Sequence, residues 1–158
     1  MKIIIPFLIL FSSFIVLNPI KVHIIGDDVY LHFNDKLTFD NNSTTIKLRV
    51  KKELDVLAAN LMERPALKIA IESHTDIESK PKIAKSITNT RAENIRNYLI
   101  DRGVNPENII AKGYGFDRPI IECLDMFNCT PEENKKNRRV EIRILNVREI
   151  GDYLLVSE

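Results

Sequence analysis

The chain lacks a charge of either sign in excess: 23 lysines and arginines face 22 aspartates and glutamates across 158 residues. Without a broad basic field, bulk charge selects neither nucleic acid nor an anionic membrane as a partner. Histidine is scarce, with only His23, His32 and His74, and the first two fall in a stretch read below as a linker. No metal-ligand cluster follows from such spacing, and no metal or other cofactor is expected. Cysteine is scarcer still. Cys123 and Cys129 are the only two, so none stands beside the apolar N-terminus to carry a lipid. In an oxidising compartment the pair closes one short loop, and in a reducing one both remain thiols. The sequence also has no nucleophile elbow, no histidine pair for zinc and no base beside either cysteine, so it is not expected to be an enzyme.

What is present is enough for one core. With 44% hydrophobic and 28% charged residues, the composition is that of a single globular domain. A chain of this size buries about two thirds of the surface its unfolded form exposes, without a metal or a dense disulfide network. Residues 1–20 begin Met1-Lys2 and continue as an uncharged run from Ile3 to Ile20, almost wholly apolar as far as Leu17. A positive start before an apolar stretch of about 7–15 residues marks an export signal, where a membrane span wants about 20. No small-x-small cleavage site follows, so the segment is read either as a cleaved signal or as a retained anchor that tethers the domain through residues 3–20. Both place the domain outside the cytoplasm. A buried core helix is the third reading.

Residues 21–36 read as a linker carrying one strand, Val29 to Phe33. Leu37-Thr38-Phe39 alternates like a short strand and stops at Asp40-Asn41-Asn42-Ser43, a cluster that favours turns and caps. From Ile46 the apolar residues recur at Val50, Leu54, Leu57 and Leu61, on one face of a helix that Arg64-Pro65 ends. Leu67 to Ser73 is a strand running into His74-Thr75-Asp76. A second helix carries Ala92, Ile95 and Leu99, with Gly103 at its end. Ile109 to Lys112 is a strand broken by Gly113-Tyr114-Gly115. Thr130-Pro131-Glu132-Glu133 has the form of a capping box that opens a short helix. Arg139 to Ile144 alternates as a last strand with one wet face. Residues 146–158 form an extension without a period. The order predicts an α+β fold, with a mixed four-stranded sheet and helices packed on one face. It also gathers Asp40, Asp76 and the polar stretch after it at one rim.

Four segments, Ile71-Glu72-Ser73-His74-Thr75-Asp76, Arg91-Ala92, Gly113-Tyr114-Gly115 and Asn137-Arg138-Arg139-Val140-Glu141, occur in the order and spacing of OmpA-like domains. The resemblance runs over residues 37–145, and the cysteine pair before the final asparagine-arginine-arginine block also looks familial. It implies a βαβαβ(α)β sandwich acting as a noncovalent anchor, which grips the stem peptide of peptidoglycan at its diaminopimelate residue. Diaminopimelate presents a carboxylate and an ammonium on one carbon, so a binder needs a planar cationic fork and an acceptor close together. Arg91 and Asp76 supply them, because arginine holds a carboxylate through two parallel charge-assisted bonds. Asp76 is expected just past a strand end and Arg91 early in the next helix, whose N-terminal amides add to the pull on a carboxylate. Thr75, Asp40 and Arg138 complete the expected ligand-binding set, with a salt bridge in the last strand as the other role for Arg138 and Arg139.

His74 and Tyr114 are read as packed residues rather than ligands. Ser73 stands where the family usually has glycine, and Thr88 stands where a serine often begins the second helix, keeping the capping hydroxyl. Ile83-Ala84 stands where it often has tyrosine and asparagine, which removes an expected polar contact. Three rivals remain: a cell-wall hydrolase using His74 and Asp76, the flagellar stator use of the same domain, and a member that has lost its ligand and binds envelope proteins. The stator arrangement places a span and a long plug before the domain, whereas about fifteen residues separate the apolar run from the first domain strand here.

Overall fold

Gly26 and Asp27 separate two short runs rich in β-branched and aromatic residues, and the chain turns back between them with Gly26 at φ +61. A glycine in a two-residue turn takes that backbone angle without a Cβ penalty. The result is a hairpin of β1 (Lys21–Ile25) and β2 (Asp28–His32), with Val22 opposite Leu31 and Ile24 opposite Val29. The stretch read as a linker with one strand is therefore two strands, and the signal was the Gly-Asp pair itself. The computed structural model describes residues 21–33, 37–40, 42–77, 80–124 and 128–147. The apolar segment 1–20 lies outside them, as does the extension beyond Val147.

After the hairpin come α1 (Leu48–Glu63), β3 (Ile69–His74), α2 (Pro81–Ile100), β4 (Ile109–Gly115), α3 (Pro131–Asn137) and β5 (Val140–Ile144). The strands form one sheet in the order β1-β2-β5-β3-β4. β3 pairs parallel with β4 and antiparallel with β5, and the hairpin joins the far side through Val29–Ile144 and Tyr30–Arg143. The sheet thus has one strand more than the four expected. Leu37-Thr38-Phe39 is not that strand: it is irregular, tied to β5 through the amide of Val140 on the carbonyl of Leu37 at 3.1 Å.

The helices cover one face, where Ile69 and Ile71 of β3 and Val140, Ile142 and Ile144 of β5 meet Leu54, Leu57 and Leu61 of α1 and Ile95 and Leu99 of α2. Fully burying side chains of this size stabilises by about 1.5–3 kcal/mol each. α2 starts at Pro81, earlier than expected, and Thr88 lies within it rather than at its cap. The Thr88 hydroxyl donates back to the carbonyl of Ala84 at 2.8 Å and accepts from the amide of Gly115 at 3.0 Å. That bond stitches α2 to β4, which continues through Gly113-Tyr114-Gly115 instead of breaking there. A Cβ on Gly113 would sit 2.2 Å from the backbone nitrogen of Asn89, so only glycine permits this approach.

The other face is not simply wet. Glu72 and His74, which alternate out of the core, are 2% exposed each. Arg143 lies along Glu72 through Nε at 3.2 Å and Nη2 at 3.0 Å and reaches Asp28 through Nη1 at 3.2 Å. Arg139 pairs with Glu141, whose Oε2 lies 3.4 Å from His74 Nε2, and the His74 ring stacks on Tyr114 with centroids 5.3 Å apart. Long charged side chains take the place of a second apolar layer.

Candidate ligand-binding site

β3 delivers Asp76 two residues past its end, and the backbone there is pinned on both sides. The His74 amide donates to the carbonyl of Arg139 and the Thr75 amide to that of Gly115, each at 2.8 Å. A register shift at Ser73/His74 accompanies the change of partner. Thr75 and Asp76 are buried, and Asp76 accepts a short ion-pair bond from Nη1 of Arg138. Arg138 follows directly on α3, whose capping box at Thr130 and Glu133 formed as expected and sets where that helix begins.

Arg91 reaches the same place from the middle of α2, not from its first turn. As the eleventh residue of a helix running Pro81–Ile100, it stands about 15 Å along the axis from the helix start. The N-terminal amides of α2 therefore do not assist it. The position still faces inward, since the buried side of α2 carries Ala84, Thr88, Arg91, Ala92, Ile95 and Leu99. The guanidinium donates from Nε to the carbonyl of Ser43 at 2.8 Å and from Nη2 to the carbonyl of Asp40 at 2.9 Å, with the Phe39 ring centroid 5.1 Å away. One edge of the expected fork is thus committed to the loop before α1. Burial lowers the Arg91 pKa, the Asp76 carboxylate opposes that shift, and the Arg138 cation adds to it. The charge persists all the same, because guanidinium does not deprotonate in proteins.

The structure therefore brings Asp76, Arg91 and Arg138 into one electrostatic cluster. Asp40 joins it only through its backbone, since its carboxylate is exposed and paired with Lys47. The carbonyl of Ser43 and the Phe39 ring are participants that spacing did not mark; the sequence signal for the loop was the turn-forming cluster alone. The gap among Phe39, Arg91 and Arg138 has no room for a water molecule. Ala84 is fully buried with its Cβ 3.6 Å from the position a Cβ would take on Gly115, so the residue set against the familial asparagine faces the helix–strand seam.

Before α3, Cys123 and Cys129 are joined in a disulfide with Cα atoms 5.6 Å apart. Asn137 holds the chain leading into it, accepting from the amides of Ile120 and Ile121 at 2.9 and 3.0 Å and donating to the carbonyl of Ile121 at 2.8 Å. The asparagine of the asparagine-arginine-arginine block is thus a scaffold, and only the first arginine enters the cluster. Glu72, His74 and Glu141 are close enough to face a common cation, but Arg143 and Arg139 already neutralise the two carboxylates.

A mixed sheet backed by helices, with a buried carboxylate beside two guanidiniums at the rim, is a small α+β domain with a charged edge. Residues 38–138 match the model of the OmpA family, and the chain belongs to that family. It is similar to the probable lipoprotein YiaD of Escherichia coli K12, at 30% identity over 119 residues covering 75% of this chain and 52% of that one. It is also similar to the peptidoglycan-associated lipoprotein of Rhizobium meliloti, at 30% identity over 99 residues covering 63% and 56%. The solved structure of an outer membrane protein from Borrelia burgdorferi B31 is 30% identical, with a TM-score of 0.58 and coverage of 80% of this chain and 97% of that one. The chain spans about half the length of the two curated relatives.

Proposed function

We infer that this is a non-catalytic peptidoglycan-binding domain of the cell envelope, and that Asp76, Arg91 and Arg138 receive the carboxylate and ammonium of the diaminopimelate head. The observation that carries the reading is the Asp76–Arg138 ion pair beside Arg91: a nearly buried carboxylate and two cations, the charge set a zwitterionic carbon requires. Among the described residues, Nη1 of Arg91 is the guanidinium nitrogen not committed to a loop carbonyl. Arg138 has the more exposed side chain of the Asp76–Arg138 pair, 23% against 4%, and in this reading it is the partner that turns outward when the ligand enters. The ligand ammonium then takes its place on Asp76, while Arg91 Nη1 and the displaced Arg138 hold the ligand carboxylate. One ion pair is exchanged for two, so no buried charge is left unpaired. Thr75 and the Asp40 loop hold this rim in position. The likeness to a peptidoglycan-associated lipoprotein supports the same reading.

The test is sedimentation of the full chain in detergent with insoluble peptidoglycan. Asp76→Asn and Arg91→Lys, which preserve side-chain size, are expected to lower the bound fraction at least tenfold while the thermal transition stays cooperative. Unchanged sedimentation of both variants would overturn the site. The closed gap between Arg91 and Arg138 favours a second reading, an interaction module for envelope proteins that has lost its ligand. In that case the unaltered chain fails to sediment with peptidoglycan.

A further inference from the structure

On the outer side of Arg138 the molecule opens where the ion-pair cluster does not. Between the end of β2, α3 and the start of β5 lies a cavity of about 330 Å³, within the usual range of about 300–1,000 Å³ for small-ligand sites. Its apolar wall includes Leu31, Phe33, Leu37 and Val140. Around this wall stand four cations, Lys135, Lys136, Arg138 and Arg139, and one carboxylate, Glu141, which Arg139 already pairs. The two lysines are exposed in the last turn of α3. The cavity therefore favours a small apolar group that ends in a carboxylate. It also adjoins the cluster: Leu37, Arg138, Arg139 and Val140 line both this cavity and the narrow gap at Arg91.

Resting on the stem-peptide reading above, we propose that this cavity is a second subsite, which takes the alanine that follows the diaminopimelate. Its methyl group lies against Leu31 and Val140, and its terminal carboxylate meets Lys135 and Lys136. Arg138 stands at the boundary, so its outward rotation on ligand binding brings the two subsites under one side chain. A stem tripeptide ending at diaminopimelate fills only the inner subsite. A tetrapeptide ending in alanine fills both, and the domain is thereby selective for stems that retain the fourth residue.

The experiment is calorimetric titration of the full chain with the synthetic stem tripeptide and tetrapeptide, repeated on Lys135→Gln/Lys136→Gln. Both lysines are exposed, and glutamine preserves the helix. The unaltered chain is expected to bind the tetrapeptide about tenfold more tightly than the tripeptide. In the double variant the tetrapeptide falls to the tripeptide value, and tripeptide binding, unchanged, shows that the fold and inner site are intact. Equal affinity for both peptides in the unaltered chain, or a preference that survives in the double variant, overturns the second subsite and leaves the inner one standing. Binding of neither peptide removes both.

Discussion

Nε of Arg91 donates to the carbonyl of Ser43 at 2.8 Å across 48 residues of sequence, and Nη2 of the same side chain holds the carbonyl of Asp40. A residue expected to touch ligand therefore fastens the loop between Leu37 and α1. Arg91→Ala should cost stability as well as binding, because two carbonyls lose a charged donor at a partly buried place. The expected loss is about 1–3 kcal/mol, read from the urea midpoint at constant slope. Arg91→Lys keeps the charge but cannot reproduce two donors in one plane, so it should fall between. An alanine variant as stable as the unaltered chain would separate Arg91 from the loop.

The seam between α2 and β4 rests on the absence of a side chain. A Cβ at Gly113 would lie 2.2 Å from the backbone nitrogen of Asn89 and 2.6 Å from the Thr88 hydroxyl oxygen. Backbone cannot yield as a flexible side chain does, and overpacking of this kind costs about 1–3 kcal/mol or more. Gly113→Ala should lower the thermal midpoint by at least about 5 °C. Gly26→Ala, where nothing lies within 4 Å of the new Cβ, should cost only the strain of its positive φ, about 1 kcal/mol. A Gly113 variant that melts no lower than the Gly26 variant would contradict the close approach.

These glycines also show where sequence reading reached and where it stopped. The periodicity of Val50, Leu54, Leu57 and Leu61, and of Ala92, Ile95 and Leu99, identified both helices and their inner faces, since burial at helical spacing is a local property. The alternation of Val140, Ile142 and Ile144 placed the last strand equally well, and the cap at Thr130 is a matter of three residues. Asp76 and Arg91 came from motif order, and the structure sets both in one cluster. What failed needed tertiary contact. Thr88 has the chemistry of a cap, but its hydroxyl is used against β4. Gly113-Tyr114-Gly115 reads as a break, yet β3 and α2 carry the strand through it. The double engagement of Arg91 depends on a loop 48 residues away. The burial of Glu72 depends on Arg143, 71 residues later. The hairpin at Gly26-Asp27 is the local exception: its turn is legible in the glycine, but its runs of five residues each are too short to show a period.

The Cys123–Cys129 disulfide closes a loop with a sequence separation of six. In the chain-entropy account so short a loop contributes about 2 kcal/mol. Because the bridge stands outside the sheet, Cys123→Ser/Cys129→Ser should lose about that much without altering the order of the strands. Amide exchange should quicken at Ile120 and Ile121, which Asn137 holds, and stay slow in β3. Faster exchange throughout β3 would mean that the bridge supports the core itself.

On the outer face of the sheet, Glu141 gives the clearest dependence on pH. Burial pushes its carboxyl up, but His74 and Arg139 outweigh that and draw it from 4.5 down to about 2. A carboxylate depressed in the folded state binds protons more weakly there than in the unfolded chain. Its contribution is therefore complete above about pH 4.5 and is lost as pH falls towards 2. For a partly exposed group the amount is discounted to about 1–3 kcal/mol. Glu141→Gln should be less stable than the unaltered chain at pH 7, where Arg139 and His74 lose their charged partner. The two should converge on acidification, since protonated Glu141 and glutamine are both neutral. Urea unfolding at pH 7, 4.5 and 3 reads this directly, and a difference that stays constant across the three would mean that Glu141 does not titrate between its folded and unfolded values.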